Sequence, residues 1–174
     1  MLPHIMLTPE VAYPEDSIVK VSSADIAGLK ALAQANPRRR VRLCAHPSTD
    51  DTLHEMLIVH EQGTYVRPHR HPGKSESFHI IEGLADVVIF TDEGEISEVI
   101  SMGPYSSDLV FFYRLGPSLF HTLLIRSLVL VFHETTNGPF RRADLVFAPW
   151  APDECDTADA SDFMSHLCQK LGVP

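Results

Sequence analysis

Cysteine is scarce in this chain, and so are basic residues and long apolar runs. Its 174 residues include only three cysteines, Cys44, Cys155 and Cys168. An odd number without paired metal-site spacing excludes a disulfide framework and a cysteine-built zinc site, and it fits reduced thiols in the cytoplasm. Lysine and arginine number 14 against 23 acidic residues, a formal charge of −9 and a pI near 5.5. Such a surface repels phosphate backbones and anionic lipid, so neither nucleic acid nor a membrane is an expected partner. The longest apolar run, Leu128 to Phe132, is far shorter than the roughly 20 residues a spanning helix needs. Residues 1–10 lack the basic start and the apolar stretch of an export signal, and the expectation is a soluble cytoplasmic protein. Internal repeats and low-complexity segments are missing too. With 44% hydrophobic residues, the chain can build one proper core and has no room for a second domain.

The pattern that is present reads mainly as strands. Short apolar stretches alternate with turn signals over 55–61, 64–68, 77–81, 85–91, 96–102, 109–113, 121–125 and 128–134, and Asp92-Glu93-Gly94 reads as a hairpin turn. This rhythm predicts an all-β sandwich or barrel rather than alternating strands and helices. At the front, Ser22 with Asp25 three residues on forms a capping box, Ile26, Leu29, Leu32 and Ala33 share a face, and Asn36-Pro37 ends the helix. At the back, Phe163, Met164, Leu167, Cys168 and Leu171 recur at helical spacing ahead of Gly172. The expected organisation is an N-terminal extension over 1–40 with its helix packed on the barrel, a barrel over 41–150, and a helical tail over 151–174.

Histidine is plentiful, with ten in the chain, and two of them stand in the segment Gly63-Thr-Tyr-Val-Arg-Pro-His69-Arg-His71-Pro-Gly-Lys-Ser-Glu76. In a strand, residues i and i+2 point to one face, so His69 and His71 project together while Arg70 faces away, and Glu76 returns on the next strand. Imidazole nitrogen and carboxylate oxygen together suit a borderline divalent cation. His79 has the opposite parity to Glu76 and is expected to face away. The same parity sets Tyr65 and Arg67 beside His69, making them the candidate catalytic residues of the cavity. An inward guanidinium needs a carboxylate, a phosphate or water, so Arg67 is expected to meet either a ligand anion or an internal acid such as Glu134. Arg38, Arg40, Arg42, Cys44 and His46 alternate with Val41, Leu43 and Ala45. With the apolar set on the core, the arginines stand together as a solvated face or an anion site.

Gly63, His69, His71, Glu76 and Gly83 fill every position of Gly-x5-His-x-His-x3–4-Glu-x6-Gly, so this segment resembles the first motif of the cupin superfamily. The resemblance implies a double-stranded β-helix, a jelly-roll-type barrel with the metal inside and, here, short N- and C-terminal helices. Within that superfamily, Tyr65 to His71, Gly138-Pro139, Ala148 to Glu154, Asn36 to Arg40 and His46 to Ser48 look like the WbuC family of cupin-fold metalloproteins, a likeness covering roughly 24–154. Members of that family are often associated with surface-polysaccharide biosynthesis. The second cupin motif, Pro-x-Gly-x-x-His, is replaced by Leu115-Gly-Pro-Ser-Leu-Phe-His121, with glycine and proline exchanged and shifted. By its place after a turn, His121 is the fourth ligand the resemblance implies, and His133 on the final strand is its rival.

The resulting expectation is one divalent transition metal (Fe, Mn, Zn, Ni or Co) held by His69, His71, Glu76 and His121. Such an ion keeps one or two positions for substrate oxygens, polarises a carbonyl or hydroxyl and acidifies bound water. The leading function is an isomerase, epimerase or lyase acting on a sugar or sugar nucleotide. The alternatives are an Fe(II) dioxygenase, since three-histidine, one-glutamate cupins resemble that class, and a non-catalytic sugar-binding module. A single convincing N-terminal helix supplies no helix-turn-helix. The expected partners are a small polar or anionic ligand and, from the resemblance and exposed sheet edges, a second copy in a homodimer.

Overall fold

Two antiparallel sheets close over one another as a double-stranded β-helix, with a helix at each end of the chain. The computed structural model describes residues 4–116 and 118–173. In chain order the elements are β1 (His4–Thr8), β2 (Val11–Pro14), α1 (Ser23–Ala35), β3 (Arg40–Cys44), β4 (Leu53–Glu61), β5 (His69–Arg70), β6 (Glu76–Glu82), β7 (Ala85–Phe90), β8 (Ile96–Met102), β9 (Phe112–Leu115), β10 (Phe120–Ile125), β11 (Val129–Asn137), β12 (Val146–Phe147) and α2 (Thr157–Leu171). One sheet has the order β1-β2-β3-β4-β11-β6-β9, with β2 and β3 parallel, and the other β12-β5-β10-β7-β8.

Strand parity builds three apolar layers. Inward residues such as Ile58, Ile80, Val87, Met102, Leu123, Ile125, Leu130 and Phe132 fill the barrel. Helix α1 starts at the Ser22–Asp25 capping box and lays Leu29 and Ala33 on the outer face of the larger sheet, against Val41, Leu43, Val59 and Val131. Helix α2 begins at Asp156, ends at Gly172 in the left-handed region, and sets Leu167, Phe163 and Met164 against Val88, Phe90 and Phe120 on the other sheet. Each large side chain removed from water in these layers contributes roughly 1.5–3 kcal/mol. Gly83 closes the first motif at φ +89°, where a Cβ would sit 2.2 Å from the Val129 carbonyl oxygen, so the turn into β7 admits no side chain.

Two sequence expectations are corrected here. The N-terminal extension is more than a helix, because residues 4–14 form β1 and β2 and enlarge the sheet. Residues 64–68 are not a strand: pairing in this stretch is confined to His69 and Arg70, and the hydroxyl of Thr122 holds the preceding loop through the Val66 carbonyl. Pro117, part of the altered second motif, lies outside the described residues, as do residues 1–3 and 174.

Candidate metal centre

The histidines reach one point from two paired strands and the turn that follows one of them. His121 stands in β10 directly opposite His69 in β5, and it shares the inward face with Leu123 and Ile125. His71 follows β5 in the turn that leads to β6, and Glu76 opens β6 on the face of Phe78 and Ile80. Ring nitrogens of His69, His71 and His121 all lie within 4.8 Å of one another. Glu76 joins them, with Oε1 at 2.8 Å from His121 Nε2 and Oε2 at 3.4 Å from His71 Nε2. Glu76 and His121 are buried, whereas His69 and His71 are half-buried.

These groups suit a cation better than they suit each other. Nδ1 of His69 lies 2.8 Å from the Arg67 carbonyl and Nδ1 of His121 lies 3.0 Å from the Leu119 carbonyl. A carbonyl only accepts, so in the neutral rings Nδ1 carries the proton and Nε2 keeps its lone pair. That backbone support is how metal-ligating histidines are oriented. Despite the short contact with Glu76, His121 Nε2 has no partner of hydrogen-bond geometry, so the two groups converge beside a common point instead of bonding head-on. Burial, with the charges of its histidine neighbours, pushes His69 down to about 3, keeping it neutral. Burial opposes charge on Glu76 as well, but His121 and the contacts to both histidines hold its carboxyl well below the usual range. Burial lowers His121 in the same way, and the Glu76 charge outweighs it and raises the imidazole among the protein groups alone. Three imidazoles and a carboxylate form a donor set for a borderline divalent ion.

Tyr65 and Arg67 lie elsewhere, which corrects the parity argument. Tyr65 donates to the Pro152 carbonyl at 3.0 Å and meets the Phe163 ring, and burial pushes its hydroxyl up to about 12, unsuited to a proton carrier at neutral pH. Arg67 pairs with Asp153 at 2.6 Å, donates to the Ala151 carbonyl and covers the Phe147 ring. Its acidic partner in the fold is therefore Asp153 rather than Glu134. Both residues tie the loop before β5 to residues 147–153. Tyr65 also borders a groove of about 780 Å³ between α2 and residues 37–39, away from the histidines, where the adjoining cleft is only about 40 Å³.

The arginine face is likewise distributed. Val41 and Leu43 pack under α1, so Arg40, Arg42 and Cys44 share the inward parity of Met56 and Ile58. Arg38 and Arg40 both meet Glu10 and Glu154 in an ion-pair network. His133 points to the opposite face of β11, 3.8 Å from Glu55, and is not a ligand. His79 is exposed against Phe111.

Sequence reasoning missed the Tyr113 hydroxyl, and it named Glu134 as an internal acid without placing it near Glu76. The Tyr113 hydroxyl on β9 donates to Glu76 Oε1 at 3.3 Å, and burial with the Glu76 charge raises it well above its ordinary value. Glu134 sits on β11 between Met56 and Phe78, and burial together with Glu76 pushes it up to about 8. The signal for Glu134 was an acid at the inward parity of Leu130 and Phe132.

Comparison with known proteins agrees with the fold. The family model DUF6016, a domain of unknown function, matches residues 21–102, somewhat less than half of the chain. No curated protein matches in sequence. The fold is shared with protein SO0799 of Shewanella oneidensis, at TM-score 0.52 and 10% identity, over 61% of this chain and 72% of that one. Weaker similarity extends to the capsular polysaccharide assembling protein CapF of Staphylococcus aureus, at TM-score 0.46, 17% identity and 56% of this chain. Oxalate decarboxylase of Lactobacillus farciminis gives TM-score 0.44 and 15% identity over 56% of this chain. This chain spans 27% of the length of each of the latter two.

Proposed function

We propose that this is a divalent-metal enzyme of the cupin fold acting on a small polar molecule, with a sugar or sugar nucleotide as the leading substrate. The observation that carries this reading is the convergence of His69, His71, His121 and Glu76 at one end of the barrel, with two imidazoles oriented by backbone carbonyls. A transition metal bound there supplies Lewis acidity to a carbonyl or hydroxyl oxygen. The protein's own part is to keep the His69 imidazole neutral, to hold Glu76 ionised and to steady it through Tyr113. Isomerisation, epimerisation or elimination suits this apparatus. The sugar assignment rests on the WbuC-like segments of the sequence, an associational warrant, as does the placing in surface-polysaccharide biosynthesis.

Calorimetric titration with nucleotide sugars, on metal-loaded and metal-stripped protein, tests the reading. Binding that requires the metal is the expected result, and equal binding by stripped protein contradicts it. An Fe(II) dioxygenase would use the same donors, and oxygen uptake by the iron-loaded protein with a candidate substrate separates it from the leading reading.

A further inference from the structure

Glu134 is an acid where a barrel of this kind is expected to be apolar. Strand β11 lies in the middle of its sheet, flanked by β4 and β6, and the inward residues before Glu134, Leu130 and Phe132, are fully packed. Glu134 nevertheless remains half-buried. Its register places it on the inner face between Met56 and Phe78. The register sets Glu134 opposite Phe78 and Thr136 opposite Glu76, so Glu134 and Glu76 are diagonal neighbours on the inner face of adjacent strands. Glu76 belongs to the metal centre, which places Glu134 beside it. Among the described residues Glu134 has no hydrogen-bond or ion-pair partner, in contrast to Glu76, Asp86 and the acids of the rim. A half-buried carboxyl group without a protein partner has oxygens free to accept a hydrogen bond from a ligand.

We infer that Glu134 is a substrate-contacting residue of the metal centre, accepting a hydrogen bond from a hydroxyl of a small ligand whose adjacent carbonyl or carboxylate oxygen lies toward the metal. Either protonation form of the carboxyl has an oxygen able to accept. The ligand class is therefore an α-hydroxy carbonyl or α-hydroxy acid, to which open-chain sugars and sugar acids belong. This rests on the metal-centre reading above and narrows its substrate class.

The test uses the full chain loaded with cobalt(II), titrated with glycolate and with acetate while the visible spectrum of the metal is followed. The two probes differ at the α-hydroxyl alone. Wild-type protein is expected to favour glycolate. In Glu134→Leu the preference should fall about tenfold, the worth of one hydrogen bond to a carboxylate, with cobalt stoichiometry unchanged. Glu134→Gln keeps an acceptor oxygen and should retain part of the preference, and if the leucine variant does not fold, a fall of at least about threefold in the glutamine variant is the required result. A wild-type protein that binds both probes equally, or variants that keep the full preference, overturn the inference while leaving the metal centre standing. Failure of wild-type protein to take up cobalt overturns the metal-centre reading and this inference with it.

Discussion

The two ends of the barrel interior are built on the same strands and are chemically opposite. Along β11, β6 and β10, the end marked by Leu130, Ile80 and Ile125 is packed hydrocarbon apart from His60 opposite Leu130, while the end marked by Glu134, Glu76 and His121 gathers charge and imidazole. Four residues along each strand separate these markers. The apolar end needs nothing from the polar end to stay folded, so the costs of desolvating Glu76, His69 and His121 can be borne without the strands losing register. Stability and metal chemistry should respond to different substitutions.

The largest effect on folding is therefore expected at the apolar end. Phe132→Ala should lower unfolding free energy by about 3–5 kcal/mol in denaturant titrations, yet the fraction that remains folded should still bind metal. Loss of metal with little loss of stability would break the division. At the polar end, His121→Gln should weaken metal affinity by roughly a hundredfold or more, above the range seen for residues that merely orient ligands. His133→Ala, on the other face of β11, should leave affinity where it was.

Acid separates the ends further. Burial pushes His60 down to about 3, with Arg40 and Arg42 adding to it, and His69 is held similarly low. Between about 3 and the ordinary 6.5 the unfolded chain binds protons that the folded chain refuses, so metal-free protein loses stability as pH falls through that window. Glu134 has the opposite sign: raised from 4.5 to about 8, it favours the folded state at low pH and withdraws that support as pH rises through this range. Melting temperatures of metal-free protein should drop between pH 6.5 and 4, and His60→Leu should flatten the fall. An unchanged slope in that variant would remove His60 from the account.

A smaller effect is expected at Arg67. Its partner Asp153 is 60% exposed, so the ion pair itself is worth little, and the Ala151 carbonyl and the Phe147 ring add modestly. Arg67→Ala should cost roughly 1 kcal/mol, a shift of about 2–4 °C in melting temperature for a chain of this size, without change in metal content. A loss of ligand affinity at constant stability would instead return Arg67 to the cavity.

Legibility from sequence followed the range of the interaction. His69, His71 and Glu76 were readable because a short spacing sets their directions, and the capping box of α1 was readable because all of it is local. His121 was placed by its position after a turn even though its motif is altered, and the reason it reaches the site, its register opposite His69, is long-range. Tyr65 and Arg67 were misplaced because strand parity was carried into a loop whose true partners, Ala151, Pro152 and Asp153, lie some eighty residues on. The alternation of Arg40, Arg42 and Cys44 was read correctly, but which face met the barrel depended on α1 covering Val41 and Leu43. Strands β1 and β2 left no pattern strong enough to read, both being short and β1 largely exposed. Glu134 was seen as an acid and not as a member of the site, since only the pairing of β11 with β4 and β6 brings it near Glu76.

Metal content is the most direct test of the central claim that His69, His71, Glu76 and His121 form one divalent-metal site. The chain, purified without a nickel column and dialysed against a mild chelator, should retain about one equivalent of transition metal by elemental analysis, and His71→Ala, folded by its circular-dichroism spectrum, should retain almost none. A wild-type protein without stoichiometric metal, or a His71→Ala protein that keeps its full equivalent, would contradict the account.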